Sequence, residues 1–92
     1  MNVYVVSYRD EFRTEPLELV AFRDEQKAGS VSDRLTRQHG ELFASGEDEQ
    51  AVNEAWHLAL KEAGVPEERS FSLDLMRHTN FAFSVKALEF VE

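Results

Sequence analysis

The chain contains no cysteine, which excludes a disulfide framework, a thiolate nucleophile and a cysteine-ligated zinc or iron–sulfur site. It lacks any apolar run approaching the roughly 20 residues that a transmembrane helix needs. Its N-terminal residues also lack the basic and apolar regions of a secretory signal peptide. These absences predict a cytoplasmic protein without a membrane anchor.

Basic residues are scarce, since 10 Lys and Arg stand against 18 Asp and Glu in 92 residues, a net charge of −8. The imbalance lies in residues 41–68, where eight acids and one base, Lys61, give a local net charge of −7. Such a field repels nucleic acid and membranes and attracts a basic protein surface. Solubility and helix-end electrostatics explain the same charges equally well. The acids are Glu41, Glu47, Asp48, Glu49, Glu54, Glu62, Glu67 and Glu68.

The length and the 42% hydrophobic content predict a single domain over 1–92 with one modest core. Two strands are predicted at the start, over 2–9 and 17–22, where Val and aromatic residues are frequent. Two more are predicted near the end, over 71–75 and 81–91, joined by a turn at 78–80. The change of parity near Lys86 predicts a β-bulge or a pairing shift in the last strand.

Two helices are predicted between the strand pairs. Asp24 is the expected N-cap of the first helix and Gly40 its expected end, so that 41–46 would be a linker. The second helix is expected to begin after Ser45 or Gly46, with Asp48 completing a capping box. Its strongest signal is an apolar face that ends before a Gly-Val-Pro stop. That face and stop consist of Val52, Trp56, Ala59, Leu60, Ala63, Gly64, Val65 and Pro66.

The element order is therefore ββααββ, which predicts an α+β fold with a four-stranded antiparallel sheet and both helices on one face. The sequence leaves open which face of the first strand is buried. If Val3 and Val5 face the helices, Tyr4 and Tyr8 line an uncovered face, together with Met76, as an interface for a partner or a homodimer. In the other assignment the tyrosines lie in the core.

The chain offers few groups for catalysis. His39 is expected at a helix C-terminus, where its charge would suit the helix dipole. Glu54 and His57 have the Glu-x-x-His spacing of di-iron bundles, but two helices cannot supply the remaining carboxylates, so an exposed helix pair is the better interpretation. No serine or glycine motif marks a nucleophile or a phosphate loop. We therefore expect no metal or cofactor and no enzymatic activity, with a small ligand site or enzyme around His57 or His78 as an alternative.

The N-terminal segment also carries a resemblance to known proteins. Residues 1–40, with YVVSY, a hairpin and AFRDEQKA leading into a helix, look like small proteins from phages and mobile elements. In size, acidity and shortage of catalytic residues the chain is similar to phage-encoded inhibitors of host defence, such as anti-CRISPR and anti-restriction proteins. The resemblance implies a chain that acts in the host cytoplasm and presents carboxylates to a nucleic-acid channel. It assigns no role to any single residue.

The leading hypothesis is a non-enzymatic, acidic protein-binding module whose partner is a basic surface of a larger protein or protein–nucleic-acid complex. The expected main contacts are Glu47, Asp48, Glu49 and Glu54, and the contacts expected to extend them are Glu62, Glu67 and Glu68.

The alternative from another class is a self-associating structural or regulatory domain that uses the Tyr4 and Tyr8 sheet face. Direct binding of nucleic acid or membrane is not expected, because the acidic field repels both. The basic residues of the first helix, Lys27, Arg34 and Arg37, lie beside acids and make a mixed surface.

Overall fold

The computed structural model describes residues 2–10, 14–73 and 81–89. Its elements, in chain order, are β1 (Asn2–Asp10), β2 (Leu17–Phe22), α1 (Glu25–Ala44), α2 (Glu49–Glu62), a 3₁₀ turn (Glu67–Arg69) and β3 (Phe81–Glu89). The predicted α+β class is confirmed. In the described part of the chain, no helix is long and apolar enough to cross a membrane.

The described strands form a sheet of three strands in the order β2-β1-β3, with both pairings antiparallel, so the prediction of four strands is wrong. The missing strand was expected over 71–75, but residues 71–73 are not a strand. The side chain of Asn53 binds both main-chain polar groups of Leu73, which takes the place of pairing with a neighbouring strand. Positions 74 and 75, and the turn expected at 78–80, lie outside the described residues.

The sheet irregularity is in a different strand from the one predicted. β3 pairs with β1 without interruption from Phe81 to Glu89, so the bulge expected near Lys86 is wrong. Ala87 continues the alternation of Phe83 and Val85, opposite Tyr4, and the larger Leu88 lies opposite Val3. The register shift is instead in β2, where Leu19 is the extra residue and is buried in the core.

The first helix begins as predicted but ends later. Asp24 is its N-cap, and the Asp24 carboxylate accepts hydrogen bonds from the main-chain N–H groups of Gln26 and Lys27. The expected stop at Gly40 is wrong, because Gly40 does not adopt a positive φ and α1 continues through most of the predicted linker to Ala44. Leu42 and Phe43 pack against the core from this extra turn, which gives the continued helix its apolar contacts.

The second helix begins later than predicted. Asp48, not Ser45 or Gly46, is its N-cap and accepts a 2.8 Å hydrogen bond from the main-chain N–H of Ala51. Ser45 instead terminates α1, where its hydroxyl donates to the main-chain oxygen of Leu42. The predicted end of the helix is confirmed, because Gly64 has a φ of +87° and the N–H of Val65 donates to Leu60 in a Schellman motif.

Both helices pack on the same face of the sheet. Leu35 of α1, Trp56 of α2 and Val6 of β1 belong to one core cluster, and none of the three has any exposed area. The core position expected for Trp56 is therefore confirmed. Tyr8 lies in this cluster at 4% exposure and Tyr4 packs against it, so the structure shows the assignment in which the tyrosines are on the helix-covered face.

Candidate functional site

The acids expected to make the main contacts lie at the start of α2. Glu47, Asp48 and Glu49 are consecutive and exposed, and Glu54 is exposed further along the helix. Asp48 also has a structural task, since its carboxylate caps the helix. Glu54 accepts a weak 3.3 Å hydrogen bond from the side chain of Gln50. Of these four acids, Glu47 and Glu49 therefore have the carboxylates with the fewest interactions within the described part of the chain.

The remaining predicted acids lie at the other end of α2. Glu62 is in the last turn and forms a 3.1 Å ion pair with Arg34 of α1. Glu67 and Glu68 lie beyond it in the 3₁₀ turn, and they line two different clefts. Because a helix of 14 residues is about 21 Å long, these acids are separated from Glu47 by most of that length. The structure thus divides the acidic segment into two groups.

An apolar side chain lies between the two groups of acids. Leu58 is 56% exposed, the one large hydrophobic side chain among the described residues with such exposure. Glu54 and Glu62 are four residues before and after it, so the three side chains follow the same side of α2. The sequence contained this signal, because Leu58 is out of phase with the apolar face that contains Trp56. We call Glu54, Leu58 and Glu62 the α2 outer stripe.

The two tyrosines expected at a sheet-face interface are buried or partly buried. Tyr8 is stacked on Phe71 at a ring-centroid distance of 4.6 Å and is 4% exposed, which leaves almost none of it for a partner. Tyr4 is partly buried against the same core. Met76, the third residue expected at this interface, lies outside the described residues.

His57 is held by two serine hydroxyls. Its Nδ1 lies 2.6 Å from Oγ of Ser70, and its Nε2 lies 3.1 Å from Oγ of Ser72. Each ring nitrogen therefore lies within hydrogen-bond distance of a serine hydroxyl, a group that can donate or accept. Sequence spacing did not predict these partners, because they depend on the path that residues 65–73 take back along α2. His57 thereby fastens this returning segment to the helix.

A cleft opens beside His57. It has a volume of 660 Å³ and is lined by His57, Lys61, Val65, Glu67 and Ser70. Lys61 follows His57 by four residues, so both side chains lie on one side of α2. In the described part of the chain neither Lys61 nor Glu67 forms an ion pair. The cleft therefore combines one cation, one anion and a hydroxyl with an apolar side chain.

His39 is not at a helix end, as was expected, but in the middle of an aromatic cluster. It lies within α1 and is 2% exposed. Its ring centroid lies 3.7 Å from that of Phe81 and 4.7 Å from that of Phe43. Loss of hydration in this environment lowers the pKa of His39 from 6.5 to about 4. Its Nδ1 has no hydrogen-bond partner among the described residues, so His39 contributes to the core through the packing of its ring.

Two further sequence expectations concern metals and His78. His78 lies outside the described residues. Over residues 2–10, 14–73 and 81–89, no cluster of three or more His, Asp or Glu side chains could hold a metal ion. The Glu54 and His57 side chains bind other partners, Gln50 for the former and the two serines for the latter.

Comparison of the chain with protein-family models, with curated proteins and with solved structures finds no match.

Proposed function

We propose that this chain is a non-enzymatic protein-binding module that docks its acidic surface on a basic surface of a larger protein. One observation carries the proposal: all eight carboxylates of residues 41–68 belong to exposed residues, and only Glu62 forms an ion pair in the described part of the chain. Exposed carboxylates speed association with a cationic surface and form charge-assisted hydrogen bonds with Arg and Lys.

The α2 outer stripe supplies the apolar part of this contact. Interfaces combine an apolar centre with a polar rim, and Leu58 between Glu54 and Glu62 has that arrangement on a small scale. The acids at the start of α2 extend the charged rim on one side. A partner that matches this surface presents basic side chains around an apolar depression.

The partner in this proposal is a nucleic-acid-processing protein. Surfaces that bind phosphates are rich in Lys and Arg, so an acidic module that covers them excludes the nucleic acid. The chain would then act as a phage-type inhibitor in the host cytoplasm, of the anti-CRISPR or anti-restriction kind. The charge segregation within 41–68 supports this partner class, since the rest of the chain is nearly neutral.

The test is affinity capture from the extract of the source organism's host at low and high salt. The test variant carries Glu47→Lys, Glu49→Lys and Glu54→Lys, and it keeps Asp48 because that side chain caps α2. The control carries Glu15→Lys, Glu25→Lys and Asp33→Lys, three exposed acids outside the segment whose reversal changes the net charge equally. We expect the test variant to lose a salt-sensitive partner that the control retains. Equal capture by both variants would show that the acids of α2 do not make the contact.

A second candidate function is favoured by the cleft beside His57. Clefts of several hundred Å³ with a few convergent polar groups are usual sites for small ligands. Lys61 would bind an anionic group and Glu67 a donor, while Val65 contacts the apolar part of the ligand. A screen of small amino and carboxylic acids by ligand-observed NMR tests this function. The expected hits lose binding in Lys61→Gln, and the absence of any hit removes the candidate.

A further inference from the structure

A groove between α1 and α2 lies apart from the cleft beside His57. It has a volume of 290 Å³ and is lined by Gln38, Glu41, Leu42 and Ser45 of α1 and by Ala55 and Ala59 of α2. Alanine side chains leave room on the α2 side, and Leu42 adds an apolar wall. The groove is therefore large enough for one long side chain and too small for a folded element.

The polar groups of this α1–α2 groove favour a cationic donor. Glu41 is exposed and forms no ion pair in the described part of the chain, and no Lys or Arg lines the groove. Ser45 is already engaged, because its hydroxyl donates to Leu42 and accepts from the N–H of Glu47. The groove thus presents a free carboxylate without a cation to neutralise it.

Gln38 adds an unsatisfied acceptor. Its Oε1 is buried and has no hydrogen-bond partner among the described residues, which is an unfavourable condition for an amide oxygen. The residue as a whole is only partly buried, and it lines the groove. A ligand that donates to both Gln38 and Glu41 would remove this unfavourable condition.

An arginine side chain fits these requirements better than a lysine side chain. A guanidinium group has five N–H donors in a planar fork, binds carboxylates with two parallel hydrogen bonds and is more weakly hydrated than an ammonium group. Its methylene stem suits an apolar wall. The same helix pair already holds one such contact, since the Arg34 guanidinium, one turn before Gln38, binds the Glu62 carboxylate across the two helices.

We propose that the α1–α2 groove is a socket for an arginine side chain of the protein partner. The proposal rests on the proposed function, because it names the side chain by which a basic partner would be anchored. It adds Gln38 and Glu41 to the contact surface, and it places that surface on both helices.

The test is an NMR titration of the folded chain with Nα-acetyl-arginine methylamide, and with the lysine analogue at matched ionic strength. We expect saturable shifts at the Gln38 side-chain amide and at the backbone amides of Ala55 and Ala59, with several-fold tighter binding of the arginine probe. Glu41→Gln should weaken binding about tenfold, the effect of losing a charge-assisted contact of about 1.4 kcal/mol. Glu25→Gln, an exposed acid of α1 outside both the groove and the proposed contact surface, is the matched control and should bind as the wild type does.

A second variant tests shape without changing charge. Ala55→Met fills the groove from an exposed helical position and should abolish the shifts at Gln38 while the chain stays folded. Absence of saturable shifts, equal binding of the two probes or equal effects of Glu41→Gln and Glu25→Gln would overturn the proposal. This result is independent of the partner capture, because the probe is a small molecule and the capture variants leave Gln38 and Glu41 intact.

Discussion

Asn53 and Leu73 are joined by a reciprocal pair of hydrogen bonds, in which the N–H of Leu73 donates to Oδ1 of Asn53 at 2.7 Å and Nδ2 of Asn53 donates to the oxygen of Leu73 at 3.1 Å. A side chain of α2 thus binds the main chain as a neighbouring strand would. One turn further along the helix, His57 binds Ser70 and Ser72. Two side chains on one side of α2 therefore fix the segment that returns toward β3.

Replacing Asn53 should destabilise the fold more than its partial exposure suggests. Asn53→Ala leaves the N–H and the oxygen of Leu73 without these partners, and Leu73 is 4% exposed. We expect the free energy of unfolding to fall by about 2 kcal/mol, measured by urea denaturation. Gln50→Ala is the matched control, because Gln50 lies one turn earlier and, among the described residues, its side chain hydrogen-bonds only to the exposed Glu54. A loss of similar size in both variants would mean that the Asn53 bonds contribute little.

The contact of His57 with Ser70 predicts energetic coupling between the two residues. In a double-mutant cycle of His57→Ala and Ser70→Ala, we expect a coupling free energy of about 1 kcal/mol, because either substitution alone already breaks the 2.6 Å hydrogen bond. The control cycle pairs His57→Ala with Ser30→Ala, an exposed serine of α1. Its two effects should add. Additivity in both cycles would mean that the hydrogen bond between His57 and Ser70 does not stabilise the fold.

The buried His39 predicts a loss of stability in mild acid. Its pKa is lowered to about 4 by burial, whereas the unfolded chain keeps a value near 6.5. The unfolded state therefore binds more protons between these values, so the contribution is complete above pH 6.5 and is lost as the pH falls toward 4. At pH 5 the loss from this group amounts to about 2 kcal/mol.

The variant His39→Phe separates this effect from the titration of the carboxylates. Phe keeps an aromatic ring beside Phe81 and Phe43 but cannot take up a proton. Urea denaturation at pH 7.5 and pH 5 should show a smaller decrease for His39→Phe than for the wild type. Parallel decreases would show that His39 does not carry the acid sensitivity.

The helix caps follow from the local sequence, whereas the number of strands and the shape of the clefts do not. Local signals were sufficient to predict the N-cap of α1 at Asp24 and the end of α2 at Gly64, because a cap depends on neighbours within a few residues. The four-stranded sheet was wrong because alternation at Phe71 and Leu73 describes burial, and burial does not reveal whether a strand or a side chain binds the main chain. The α1–α2 groove and the cleft beside His57 depend on how two helices and a loop meet, which no local pattern encodes.

The two glycines that the sequence treated alike should respond in opposite ways to substitution by alanine. Gly40 lies within α1 without a positive φ, and a Cβ there would meet no atom within 4 Å. Gly40→Ala should therefore stabilise the chain by about 0.5–1 kcal/mol, because alanine loses less backbone entropy in a helix. Gly64 has a φ of +87° as the C′ residue of α2, so Gly64→Ala should destabilise the chain by about 1 kcal/mol or more.

Thermal unfolding of the two variants beside the wild type measures both effects. The midpoint should shift upward for Gly40→Ala and downward for Gly64→Ala. A decrease in both midpoints would mean that Gly40 ends the helix after all.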